Sequence, residues 1–233
     1  MTMQWKQSKG LTIIYIGDGK GKTTAAMGMA VRALGHGWNV YVAQFMKEEK
    51  WPSGERDFFR SVAAGSRGNT SLDSQGRSIQ QPSLKSYRFA SQTTSDPSLE
   101  SLEKVPARDP ASIGSIVVDI LGEGFVGIMG DKKEKETHRV AAEKGYEKVC
   151  AEVASGEYQL VILDEVLSAV DEGLLCEEQI LELIAKKPED VTLVMTGHKS
   201  YPAIFAKADL VTEMKKIKHP FDEGFIAKRG IDY

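Results

Sequence analysis

Short runs of β-branched and aromatic residues recur along this chain, each ending where glycine or a charged residue takes over. Ile13, Ile14, Tyr15 and Ile16 open the series, and Asn39 to Phe45, Ile116 to Ile120, Leu160 to Leu163 and Val191 to Met195 repeat it. Runs of this length without strict alternation predict strands buried on both faces of a parallel sheet. Leu210 to Met214 predicts a last short strand. Between the runs the period changes to three and four. Val140, Ala141, Tyr146, Val149, Cys150 and Val153 predict the inward face of one helix, and Ile180, Leu181 and Ile184 that of another. A further short helix is expected around Ala203 to Ala208. Strand and helix in alternation predict an α/β class, a doubly wound and mainly parallel sheet in a single domain over residues 1–233.

One stretch breaks the pattern. From Ser61 to about Ser115 serine supplies roughly a quarter of the residues, with scattered Gly, Gln, Thr, Asn and Pro and no sustained apolar period. Such a composition buries too little surface to offset ordering entropy, so an insertion is expected, either a mobile appendage or a lid. Lys85 to Phe89 is the only part of it with strand character.

The chemistry concentrates where the first strand ends. Gly17, Asp18, Gly19, Lys20 and Gly21 precede Lys22, Thr23 and Thr24, which open a helix that Gly35 and Gly37 terminate. Closely spaced glycines let backbone amides converge on an anion, the helix N-terminus adds its dipole, and the lysine follows the phosphates. A nucleoside triphosphate such as ATP is the expected guest, in a P-loop NTPase-like, RecA-like domain. The usual spacing, G-x-x-x-x-G-K-[ST], would put Ile16 at the first position, where glycine normally supplies the turn. The phosphates therefore need not sit as in an ordinary ATPase.

A second signal is Asp164 followed by Glu165 at the end of an apolar run, the usual place for a carboxylate that holds magnesium beside a nucleotide. Thr23, Asp164 and Glu165 are the expected Mg2+ ligands, and Lys22, Thr23 and Glu165 the catalytic candidates. Segments leaving the carboxyl ends of the other strands add Lys47, Trp51, Glu55 and Arg56, with an exposed polar loop pinned by Trp51 as the alternative, and His198 after Thr196 and Gly197. His138 reads as a surface residue, and His219 has no spacing that supports a zinc site.

Composition narrows the classes. A net charge of -3 argues against a general nucleic-acid binder. Two cysteines, Cys150 and Cys176, without C-x-x-C spacing read as small buried or half-buried side chains. Neither a signal-type N-terminus nor a run long enough to span a membrane is evident, so a cytoplasmic protein is expected.

Taken together, GDGKGKTTAAMGMAVRALGHG, VAQFMK with WPSGE after it, VILDE, TGH and the closing KHPFDEGFIAKRGIDY resemble the ATP:corrinoid adenosyltransferases of cobalamin biosynthesis, in family order. The resemblance implies that cobalt(I) of a corrinoid attacks the 5′ carbon of ATP and expels triphosphate, with the nucleotide bound in the reverse sense to ordinary phosphate-loop enzymes. It also implies a reduced flavoprotein as electron donor and a homodimer. By resemblance Phe125 is the candidate for an apolar wedge against the corrinoid, with Val126 beside it; a core phenylalanine is the alternative. Two departures stand out. A family T-G-F-T-W pattern is replaced by Gly124, Phe125, Val126 and Gly127, without the tryptophan, and a family T-G-R by Thr196, Gly197, His198. The rival readings are a phosphoryl-transfer ATPase or kinase, in which Glu165 orients water or an acceptor hydroxyl, and a nucleotide-dependent corrinoid-binding module without turnover.

Overall fold

The computed structural model describes residues 9–65, 71–72, 78–79, 113–124, 126–127, 133–225 and 227–231. Its centre is a six-stranded sheet made of β1 (Thr12–Ile16), β2 (Val40–Gln44), β5 (Ile116–Ile120), β6 (Leu160–Asp164), β7 (Thr192–Thr196) and β8 (Leu210–Glu213). The spatial order is β5-β2-β6-β7-β1-β8, and every pairing is parallel. The expected doubly wound α/β architecture is therefore present, consistent with a P-loop NTPase-like domain.

Successive strand residues point to opposite faces, and the two faces are covered by different helices. On one, Ile13, Val40, Val42, Leu160, Ile162 and Val194 pack with Ala26, Met27, Ala30, Ala33 and Leu34 of α1 (Lys22–Gly35) and with Phe59 of α2 (Gly54–Gly65). On the other, Ile14, Tyr41, Ala43, Val161, Leu163, Leu193 and Met195 meet α3 (Lys135–Ala154), α4 (Val166–Asp171) and α5 (Glu177–Lys186). The central strands are buried throughout, which is why they read as continuous apolar runs. Cutting Ile162 or Leu163 to alanine would cost about 2–5 kcal/mol. Helix α6 (Pro202–Phe205) leads to the edge strand β8, whose residues are all exposed.

Several expectations are corrected. Helix α2 occupies a stretch read as loop and as the start of the insertion. Ser53 Oγ accepts the Arg56 amide at 3.4 Å, and Phe59 is driven into the sheet face. Ser61 to Gly65 thus belongs to a helix. Within the Ser-rich stretch, β3 (Ser71–Leu72) and β4 (Ser78–Ile79) form a short antiparallel pair, whereas Lys85 to Phe89 lies outside the described residues.

His138 is not a surface residue. It is 2% exposed, because the buried face of α3 runs through His138, Ala142, Gly145, Val149 and Val153, while Val140 is 38% exposed. The interrupted apolar pattern of this charged helix hid its phase. Tyr146 and Cys150 remain half-buried beside that face. Cys176 is exposed, since it precedes α5 and its amide donates to Gln179 Oε1 at 2.7 Å.

Candidate active site

The carboxyl edge of the sheet gathers the candidate residues around a cavity of about 330 Å³, within the range of small-molecule sites. Its walls come from the loop into α1, the segment between β2 and α2, the end of β6, the end of β7 and Ile231. This is where a parallel sheet with crossover helices leaves room for a ligand.

The loop between β1 and α1 is shaped by its glycines. Ile16 stays in β1 and is buried, so the chain turns only at Gly17, with φ at 110°. A side chain there would bring a Cβ within 2.3 Å of the Met214 carbonyl oxygen. Gly17 donates its amide to His198 O at 3.2 Å and Gly19 donates to Met214 O at 2.7 Å, which seats the outer half of the loop on the segments leaving β7 and β8. Asp18 faces outward, where its carboxylate accepts the Lys216 amide at 3.1 Å; that bond holds its carboxyl below the usual range. Gly17, Asp18 and Gly19 are thus scaffold on the far side of the loop, and Lys20, Gly21, Lys22, Thr23 and Thr24 line the cavity. Gly21, with φ at 112°, directs the chain into α1, which has neither a side-chain cap nor an acidic residue in its first turn. Its first amides and positive dipole end are therefore left for an anion.

Lys22 is buried and donates to Gly17 O at 2.7 Å and Gly19 O at 3.1 Å. Burial pushes its pKa down, opposed by the charges of Glu165, Asp18 and Asp164. The lysine is curled over the loop that it would leave to meet phosphates.

Asp164 is the hub. Its Oδ1 accepts the hydroxyls of Thr23 at 2.9 Å and Thr196 at 2.9 Å, and its Oδ2 accepts Gln44 Nε2 at 3.3 Å and Lys47 Nζ at 2.6 Å. Register explains the meeting, because Gln44 lies opposite Asp164 across the β2–β6 pair. Glu165 follows in the left-handed region, with φ at 61°, as the residue before α4. That geometry is uncommon for a non-glycine residue, and its neighbours hold it. Its amide donates to Thr196 Oγ1 at 2.8 Å, and its carboxylate accepts Ser168 Oγ at 2.5 Å. His198 Nε2 stands 3.9 Å from Glu165 Oε2 at the cavity wall.

Opposite these residues, Trp51, Glu55 and Arg56 line the cavity. Arg56 is buried and donates to the Trp51 carbonyl, and Ser53 Oγ donates to Glu55 Oε2 at 3.0 Å. The segment after β5 closes in from the side. A Cβ at Gly122 would lie 2.5 Å from the Met46 amide nitrogen, and Lys133 Nζ bridges Glu48 Oε1 and Glu123 Oε2 at 2.5 Å each. Val126 packs against the core and does not line the cavity, and Phe125 lies outside the described residues.

The structure thus brings Lys20 to Thr24, Trp51, Glu55, Glu165 and His198 to one cavity, with Asp164 beneath Thr23. Sequence reasoning missed Glu48, Pro52, Ser53 and Ile231. The first three lie inside the polar segment after β2, where any residue could have been chosen. Ile231 sits in the closing segment that carried part of the family resemblance, the one signal that could have found it.

A sequence model of the family described as ATP:corrinoid adenosyltransferase BtuR/CobO/CobP matches residues 8–98 and 92–233. The chain is similar to the corrinoid adenosyltransferase of Escherichia coli K12, 28% identical over 99% of this chain and 89% of that protein. It is similar to corrinoid adenosyltransferase CobA of Salmonella typhimurium LT2 at 28% over the same shares, and to the corrinoid adenosyltransferase of Pseudomonas aeruginosa at 27% over 99% of this chain and 87% of the relative. A family match that spans nearly the whole chain places it: this protein belongs to the ATP:corrinoid adenosyltransferase BtuR/CobO/CobP family.

Proposed function

We propose that the protein transfers the 5′-deoxyadenosyl group of ATP to the cobalt(I) of a corrinoid and releases triphosphate. The observation that carries this reading is the meeting of Thr23, at the open N-terminus of α1, with the buried Asp164 at 2.9 Å, in a chain matched almost end to end by the family. The electron pair of cobalt forms the bond to C5′, and the C5′–O bond breaks with its pair going to the leaving triphosphate. The nucleophile is the substrate, so the protein needs no general base. Its work is to hold C5′ in line and to stabilise charge on the leaving group.

Lys22 and the amides of Gly21 to Thr24 are positioned for that charge. Thr23, Asp164 and Glu165 present hard oxygen donors, which fit Mg2+, a cation that uses one or two carboxylates and keeps water and phosphate oxygens as its other ligands. The ion supplies charge neutralisation on the triphosphate when bound. Among the described residues no group of three or more His, Cys, Asp or Glu forms a metal cage, consistent with a site completed by substrate. Trp51, Glu55 and His198 face the nucleotide and corrinoid from the opposite walls. Phe125 is assigned to the corrinoid side on the family resemblance; Val126, packed against the core, is not a lining residue of the cavity.

A phosphoryl-transfer reading is not favoured by the family. In the same proposal a reduced flavoprotein supplies the electron, the protein works in the cytoplasm, and two copies associate, a pairing that the exposed edge strand β8 with Leu210 and Val211 supports. Among the described residues no helix is long and apolar enough to cross a membrane. An anaerobic assay with ATP, magnesium and chemically reduced corrinoid tests the function. Stoichiometric triphosphate and the spectrum of an alkylated corrinoid are expected; ADP and phosphate formed without corrinoid would overturn it.

A further inference from the structure

We propose that Lys47 is a second triphosphate-binding cation, whose ammonium rests on Asp164 and moves to the leaving group when ATP binds. The inference rests on the proposed function above and extends it to a residue outside the phosphate loop.

Lys47 follows Met46, which has φ at 57°, a conformation that non-glycine residues adopt only where their surroundings enforce it. The turn carries the chain off the end of β2 and back over the carboxyl edge, and Lys47 Nζ arrives 2.6 Å from Asp164 Oδ2. Asp164 is fully buried, yet the Lys47 side chain is 23% exposed and lines the same cavity as Thr23 and Thr24. The ammonium therefore stands between a buried carboxylate and the space in front of the α1 N-terminus.

Two features distinguish this from a purely structural ion pair. Asp164 also accepts Thr23, Thr196 and Gln44, so its oxygens keep hydrogen-bond donors when the ammonium leaves. Lys22, which is buried, donates to two loop carbonyls, and a single lysine answers only part of the charge of a triphosphate. A second cation close by meets that need as the C5′–O bond breaks and charge gathers on the leaving oxygen.

The test uses the full chain, with inorganic tripolyphosphate and adenosine as separate probes in titration calorimetry with magnesium present. Lys47→Met should weaken tripolyphosphate binding by about tenfold to a hundredfold and leave adenosine binding unchanged, and Lys47→Arg should restore most of the loss. Removing Lys47 also strips Asp164 of its counter-charge, so the same comparison is made without magnesium in an Asp164→Asn background, where neither a counter-charge nor a metal ligand enters. A further loss of tripolyphosphate affinity on adding Lys47→Met to Asp164→Asn supports direct binding. Equal affinity of Asp164→Asn and the double variant would overturn the proposal and leave Lys47 as a counter-ion. Wild-type protein that binds ATP but is not competed by tripolyphosphate would overturn the phosphate-loop reading and this proposal with it.

Discussion

Thr23 and Asp164 lie 141 residues apart in the chain, yet the threonine hydroxyl donates to the buried carboxylate at 2.9 Å. The bond joins the first turn of α1 to the tip of β6, two strands away from β1 in the sheet, and so sets the distance between phosphate loop and acidic residue.

Thr23→Val removes that bond while nearly keeping the shape. A hydrogen bond to a charged group contributes about 1.5–3 kcal/mol, so a lower melting temperature is expected by calorimetry. Turnover should fall by about two orders of magnitude or more if the hydroxyl serves the triphosphate site as proposed. Thr23→Ser should restore both, and normal turnover by Thr23→Val would remove the residue from the site.

The pH dependence of ATP binding should report Lys22. Burial holds its pKa below the ordinary lysine value in the empty protein, and bound phosphates would raise it. Between the lowered and the raised value, binding takes up a proton, so affinity is highest while Lys22 is charged in the empty site and falls as pH rises through its depressed pKa. Lys22→Arg stays charged over the range and should flatten the fall. Dissociation constants for ATP measured from about pH 7 to about pH 10 check this, and an unchanged slope in the variant would count against it.

Gly17→Ala tests the turn that replaces the usual loop start. Its Cβ would meet the Met214 oxygen at 2.3 Å with φ at 110°, a conformation and a contact that alanine does not tolerate. A loss of about 2 kcal/mol or more should appear as a melting temperature lower by about 4–8 °C, together with loss of ATP binding. Gly28→Ala is the control: nothing lies within 4 Å of its Cβ position in α1, so stability should hold or rise by up to about 1 kcal/mol.

How much of this was legible in advance follows from the range of each interaction. Ile13 to Ile16, the glycines after them and Lys22 to Thr24 announce strand, turn and helix, because strand propensity and left-handed φ are properties of neighbouring residues. Asp164 and Glu165 announce an acidic strand end for the same reason. Where apolar content was sparse the local signal failed. In α3 charged residues dilute the period and concealed the burial of His138, and α2 depends on Ser53 and Phe59 finding partners.

By itself the sequence determined that Gly17 to Gly21 turn a strand into a helix, with no glycine at the first position of the usual phosphate-loop spacing, and that an acidic pair ends a buried strand. Only the tertiary structure decided that Gly17 and Gly19 spend their amides on His198 and Met214, leaving Lys20 to Thr24 to face the cavity. It also decided that Thr23, Thr196, Gln44 and Lys47 converge on one carboxylate. Those partners are brought together by crossover order and strand register, which depend on how the whole sheet assembles rather than on any local run of residues.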